Sequence, residues 1–124
     1  MAEIKLTAEA QQGLLELQAF QQQMQTVLIQ KESLNIQNME IDKALEELEK
    51  VKNEDVFKAV GPILIKSEKE KLKKELEERK ETTNLRLKSL QKQENRLKER
   101  LEETQKKLEE VLRGQENKSA GSAT

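Results

Sequence analysis

Val56-Phe57-Lys58-Ala59-Val60-Gly61-Pro62-Ile63-Leu64-Ile65-Lys66 breaks the spacing that governs the chain on either side of it. Here apolar and β-branched residues come in two short runs separated by Gly61-Pro62, which is the signature of paired strands joined by a tight turn. Gly61 supplies the positive φ that a two-residue turn needs, and Pro62 needs no ladder donor at the turn. The spacing predicts a β-hairpin over 55–66. An isolated hairpin is marginal in water. Val56, Phe57, Val60, Ile63, Leu64 and Ile65 are also too many apolar side chains to leave at an exposed bend, so this sheet is expected to pair with something.

Outward from the hairpin, towards the N-terminus, apolar positions recur at alternating steps of three and four: Ala10, Gly13, Leu17, Phe20, Met24, Val27, Lys31, Leu34, Asn38, Ile41, Leu45, Leu48. This is a coiled-coil seam. Thr7 is the expected N-cap with Glu9 in the first turn, and Lys50, Lys52 and Asn53 suit a C-terminus, which predicts a helix over 8–52. Beyond the hairpin, Ser67 and Glu70 have capping-box spacing. A second seam then reads Leu76, Lys80, Thr83, Leu87, Leu90, Glu94, Leu97, Leu101, Thr104, Leu108, Val111. Gly114 offers a stop, so the second helix is expected over 68–113 and the polar 114–124 as a disordered tail.

If the chain folds back so that facing positions sum to 121, the two seams superimpose step for step: Leu45 on Leu76, Leu34 on Leu87, Gly13 on Leu108, and Asn38 on Thr83, polar against polar. The expected fold is mainly α, a long antiparallel two-helix coiled coil with a small β-hairpin inserted at the bend, forming a single domain over 1–113. Each helix should extend about 70 Å at 1.5 Å per residue. Outward charges such as Glu75 and Arg79 fall at favourable i,i+4 spacing.

Composition narrows the function. The chain has 124 residues, 38% of them charged and 2% aromatic, which is little material for a globular core but suits a buried stripe. Lys and Arg number 23 against 24 Asp and Glu, so no broad electrostatic footprint for nucleic acid or an anionic membrane is present. No secretory signal or membrane-spanning run is visible, and a cytoplasmic location is expected. There is no His and no Cys, and no Gly-rich phosphate cradle, so neither catalysis, metal binding, a cofactor nor nucleotide-driven work is expected. A two-helix structure also offers no water-excluding pocket in which to tune paired carboxylates.

Helix, hairpin and second helix together resemble the β class of prefoldin subunits, archaeal and eukaryotic alike. The residues that carry the likeness are the hairpin's Val56-Phe57-Lys58, its Val60-Gly61 and the apolar run ending in Lys66. Gln93-Glu94 between Leu90 and Leu97 resembles the family's second-helix signature, and Lys92 stands where arginine is frequent. The resemblance covers about residues 8–113. It implies a hetero-hexamer of two α-class and four β-class subunits, assembled through the hairpins by Val56, Phe57, Val60, Gly61, Ile63, Leu64 and Ile65. It further implies an ATP-independent holding chaperone that binds non-native client proteins at the coil tips and passes them to a group II chaperonin. The tip residues here would be Leu6, Ala10, Gly13, Leu14, Leu17, Leu108, Val111 and Leu112, each of which could also be an ordinary core or frayed position. The competing readings are a tethering or scaffold coiled coil whose hairpin is a docking site, and a nucleic-acid-binding helical arm. Against the latter, Lys69, Lys71, Lys73 and Lys74 are interleaved with acids.

Overall fold

The computed structural model describes residues 6–52 and 55–122, with side chains up to residue 115. The order of elements is α1 (Ala8–Lys50), β1 (Asp55–Val60), β2 (Ile63–Glu68) and α2 (Lys69–Ser122). The chain divides into two compact units, one made of the segments up to Ile29 and from Lys92 onward, the other of Gln30–Gln91.

In the first unit, α1 begins as its sequence dictates. Thr7 caps it, its hydroxyl accepting from the Ala10 amide at 3.1 Å and its carbonyl accepting the first helical bond, from Gln11. Ala10, Val27, Leu97 and Leu108 are buried, and Gly13, Leu17, Phe20, Met24, Leu101 and Val111 are half-buried. Most positions between them face solvent, Leu14 being half-buried beside the seam. The register that sums to 121 is visible where a Cβ placed on Gly13 would stand 3.1 Å from the Leu108 Cδ1. Glu94 and Thr104 occupy seam positions and are also buried, and Lys98 lies 3.6 Å from the Glu94 carboxylate one turn on. Arg100 covers the Phe20 ring at 5.9 Å, a cation–π contact worth about 0.5–1 kcal/mol at an exposed site.

In the second unit, Leu34, Ile41, Leu48 and Leu90 are buried along the same seam. Four polar pairs flank it: Lys31 with Gln91, Asn38 with Asn84, Asp42 with Lys80, and Glu49 with Lys73. Each pair sums to 122, one step beside the apolar register. The expected contact of Asn38 with Thr83 does not form. Thr83 bonds back to the Arg79 carbonyl at 2.8 Å, a short side chain's local alternative, while Asn38 Nδ2 reaches past it to Asn84 Oδ1 at 2.8 Å. The Asn38 Oδ1 is left buried without a partner. Glu75 likewise pairs with Lys58 at 3.0 Å, not with Arg79.

The hairpin forms with register Val60↔Ile63 through Asp55↔Glu68, so the two-residue turn is Gly61-Pro62. Gly61 has φ +57. Positive φ first and proline's fixed negative φ second is the sign pattern of a type II′ turn, whose twist suits paired strands. The strands run two residues further than the expected 66. Ser67 pairs with Val56 in the ladder, so it is not the cap of α2, which starts at Lys69. At the end of α1 the Val51 amide bonds the Leu48 carbonyl, and the helix stops at Lys50, short of the expected 52; Asn53 lies outside the described residues.

The expected stop at Gly114 is also absent. α2 continues to Ser122, which replaces the expected disordered tail over 114–122; residues 123 and 124 lie outside the described residues. A capping glycine ends a helix by turning left-handed, and Gly61 is the one positive-φ glycine among the described residues. Gly114 therefore stays helical at a cost of about 1 kcal/mol relative to alanine.

Because nothing lies within 4 Å of a Cβ built on Gly61, Gly61→Ala tests backbone strain alone. It should weaken the hairpin by about 1–2 kcal/mol, seen as faster amide exchange over 55–68 with helix content unchanged.

Candidate functional site

Two surfaces stand out, one in each unit. The first is the hairpin. Residues paired across the ladder share a face, so Val56, Lys58, Val60, Ile63, Ile65 and Ser67 lie on one side and Asp55, Phe57, Ala59, Leu64, Lys66 and Glu68 on the other. Both faces are apolar towards the turn. Phe57, Ile63 and Leu64 are 62%, 56% and 72% exposed, and Val60 and Ile65 are also exposed, while Val56 is half-buried at the base. The sheet has two strands, so each strand leaves one edge of backbone donors and acceptors unpaired within the described residues. A sheet open on two apolar faces and two edges is built to be covered.

Its position relative to the helices is held by ions. Lys58 Nζ donates to Glu75 in α2 at 3.0 Å, and Lys69 Nζ donates to the Val51 carbonyl at 3.1 Å beyond the end of α1. Lys66 and Asp55 pair at 3.4 Å within the sheet. The hydrogen bond from Lys58, reinforced by its charge, holds the Glu75 carboxyl below its ordinary range. Lys73 does the same to Glu49, and Glu49 in turn raises Lys73. A carboxyl depressed in the folded state contributes stability above its unfolded pKa and loses that contribution as pH falls through the folded value. A raised lysine contributes below its unfolded value and loses the contribution only as pH rises through the folded one. Both windows leave neutral pH flat. The melting difference between the parent chain and Glu75→Gln should therefore be constant from about pH 6 to 8 and shrink below about pH 4; a difference that grows on acidification would contradict this pairing.

The second surface lies in the unit that carries the first turns of α1. A shallow groove is lined by Glu9, Gln12, Gly13, Glu16, Thr104, Lys107, Leu108 and Val111. Of the expected tip residues, Ala10 and Leu108 are buried, Leu6, Gly13, Leu14, Leu17 and Val111 are half-buried, and Leu112 is exposed. Gly13 and Leu108 meet across the seam. Three exposed apolar residues of the same unit, Leu15, Leu28 and Ile29, were not among those expected. All three lie off the seam: Leu15 and Ile29 fall opposite it by the same heptads, and Leu28 flanks it beside Val27.

Among the described residues no group of His, Cys, Asp or Glu could hold a metal ion, and no helix is long and apolar enough to cross a membrane.

Paired helices joined by a small hairpin with apolar faces define a class of coiled-coil protein. The sequence profile of the family described as "Prefoldin subunit" matches residues 11–115. Prefoldin subunit beta of Archaeoglobus fulgidus is 46% identical over 109 residues, covering 87% of this chain and 94% of that protein. The corresponding protein of Sulfurisphaera tokodaii is 38% identical, covering 87% of each. The crystal structure of the prefoldin beta subunit from Thermococcus strain KS-1 superimposes with a TM-score of 0.79 at 35% identity, covering 90% of this chain and 98% of that one. The chain belongs to the prefoldin subunit family, a family of chaperone subunits, and these relatives are of the beta kind.

Proposed function

We propose that this chain is the β-class subunit of a hetero-hexamer of two α-class and four β-class subunits, which holds non-native proteins without ATP and passes them to a group II chaperonin. The observation that carries the reading is the hairpin, apolar on both faces and open at both edges, in a chain of this family. Edge pairing with neighbouring hairpins satisfies the free backbone groups and buries Phe57, Ile63 and Leu64. Clients are held in the other unit by Leu6, Ala10, Gly13, Leu14, Leu17, Leu108, Val111 and Leu112. Partial separation of the last turns bares the buried members of that set, and several weak sites acting together raise the effective concentration of the client. A cytoplasmic location accords with this role.

Co-expression with an α-class partner, followed by native mass measurement and a light-scattering assay on a diluted, denatured protein without ATP, tests the reading. A hexamer that suppresses scattering at sub-stoichiometric amounts is expected. A monomer or simple dimer that leaves aggregation unchanged would favour a tether with no affinity for unfolded chains.

A further inference from the structure

The unit that bears the groove has two outer surfaces of opposite character. From Ala8 to Ile29 the charged residues of α1 are Glu9 and Glu16, and none falls from Leu17 to Ile29. Over Lys92–Arg113, the matching stretch of α2 is more than half charged. On α1, Leu15, Gln18, Gln22, Gln25 and Ile29 recur at steps of three and four, a second stripe on the side away from the seam residues Ala10, Gly13, Leu17, Phe20, Met24 and Val27. All five are exposed, with Leu28 exposed beside Ile29. The equivalent outward positions of α2 in this unit are Lys92, Asn95, Glu99, Glu102 and Lys106, all charged but Asn95.

We infer that this stripe is a contact surface for extended, uncharged segments of unfolded polypeptide, distinct from the tip residues of the seam. The inference rests on the holding role proposed above and deepens it. An unfolded segment presents apolar side chains and unpaired backbone N–H and C=O groups. The stripe matches both: Leu15 at one end and Ile29 at the other are apolar, and three carboxamides between them each offer two donors and an acceptor. These groups bond backbone regardless of sequence, which suits a surface that receives many clients. Neutrality matters because covering a charged face would desolvate its ions without partners, whereas a carboxamide is covered at far lower cost once its hydrogen bonds are made. The α2 surface is closed to such segments for the same reason. A second copy of this chain is a poor occupant, since a helical seam needs apolar residues at the centre, where the stripe has Gln18, Gln22 and Gln25.

The test uses the assembled hetero-oligomer and reduced, S-carbamidomethylated ribonuclease A, which stays unfolded in native buffer. A benzophenone amino acid replacing Gln22 should label this client several-fold more than one replacing Glu99. The triple variants Gln18→Glu, Gln22→Glu, Gln25→Glu and Gln18→Lys, Gln22→Lys, Gln25→Lys should both assemble, with capture about tenfold weaker for either sign of charge. Equal labelling at the two positions, labelling at 22 that joins one subunit to another, or capture weakened by one sign and strengthened by the other overturns the inference. If the unaltered oligomer captures no unfolded chain, the holding role itself fails. If it captures normally and both triple variants do too, only the stripe does.

Discussion

Phe57→Asp with Leu64→Asp should reduce the native mass from that of the hetero-oligomer to that of separate subunits, while helix content and melting of the lone chain stay the same. The two residues lie on one face of the hairpin and are 62% and 72% exposed, so the folded subunit loses almost nothing when they change. In an assembly that covers them, each contributes about 1.5–3 kcal/mol of burial. Aspartates in their place would have to be desolvated without partners, which adds several kcal/mol more at every copy of the contact. Leu85→Asp is the control: it is 61% exposed in the same unit but on a helix, and assembly should survive it. Should the double variant still assemble, the hairpin is not the assembly surface.

Leu34→Ala and Ile41→Ala carry the next largest effect, on the stability of the subunit. Both are buried seam residues, at 5% and 6% exposure, yet among the described residues no large side chain is fully enclosed. A seam between two helices is open on both flanks and relaxes around a truncated side chain more easily than a globular core does. The cost should sit at the low end of the usual range, about 2 kcal/mol each. The residues are a heptad apart, about 10 Å along the helix, so the double variant should lose about 4 kcal/mol. That is a large part of the 5–15 kcal/mol typical of a domain. Urea denaturation of the lone chain measures it as a lowered midpoint with the slope retained. Asn38→Leu should go the other way or be neutral, because it removes a buried oxygen that has no partner.

The seams were legible in the sequence because one rule, burial every three and four residues, acts along both helices without competition. Every seam position read from Ala10 to Leu48 and from Leu76 to Val111 is buried or half-buried. The hairpin was legible because Gly61-Pro62 permits few other backbones. What failed was the capping chemistry read at the two ends of α2, whereas the Thr7 cap of α1 forms as expected. Ser67 with Glu70 has the spacing of a capping box, but the ladder to Val56 claims Ser67 first. Gly114 is a stop only where the following chain gains by turning, and in α2 the helix simply runs on.

The candidate surfaces divide in the same way. Exposure of Phe57, Ile63 and Leu64 follows from an apolar hairpin with no core of its own, and was expected. The ion pair that holds it, Lys58 with Glu75, joins residues 17 apart and could not be told from an i,i+4 pair with Arg79 by spacing alone. Leu15, Leu28 and Ile29 were not legible as a surface because the fold is specified by the seam alone, and apolar residues beside or opposite it are not required by that rule.

The four polar pairs that sum to 122, from Lys31 with Gln91 to Glu49 with Lys73, act as the teeth of a ruler. Removing or adding residues in one helix alone puts every tooth beyond the cut out of mesh at once. Seven residues added to both helices at facing positions restore the meshing one notch on. This part of the molecule can therefore change length only in paired steps of about 10 Å.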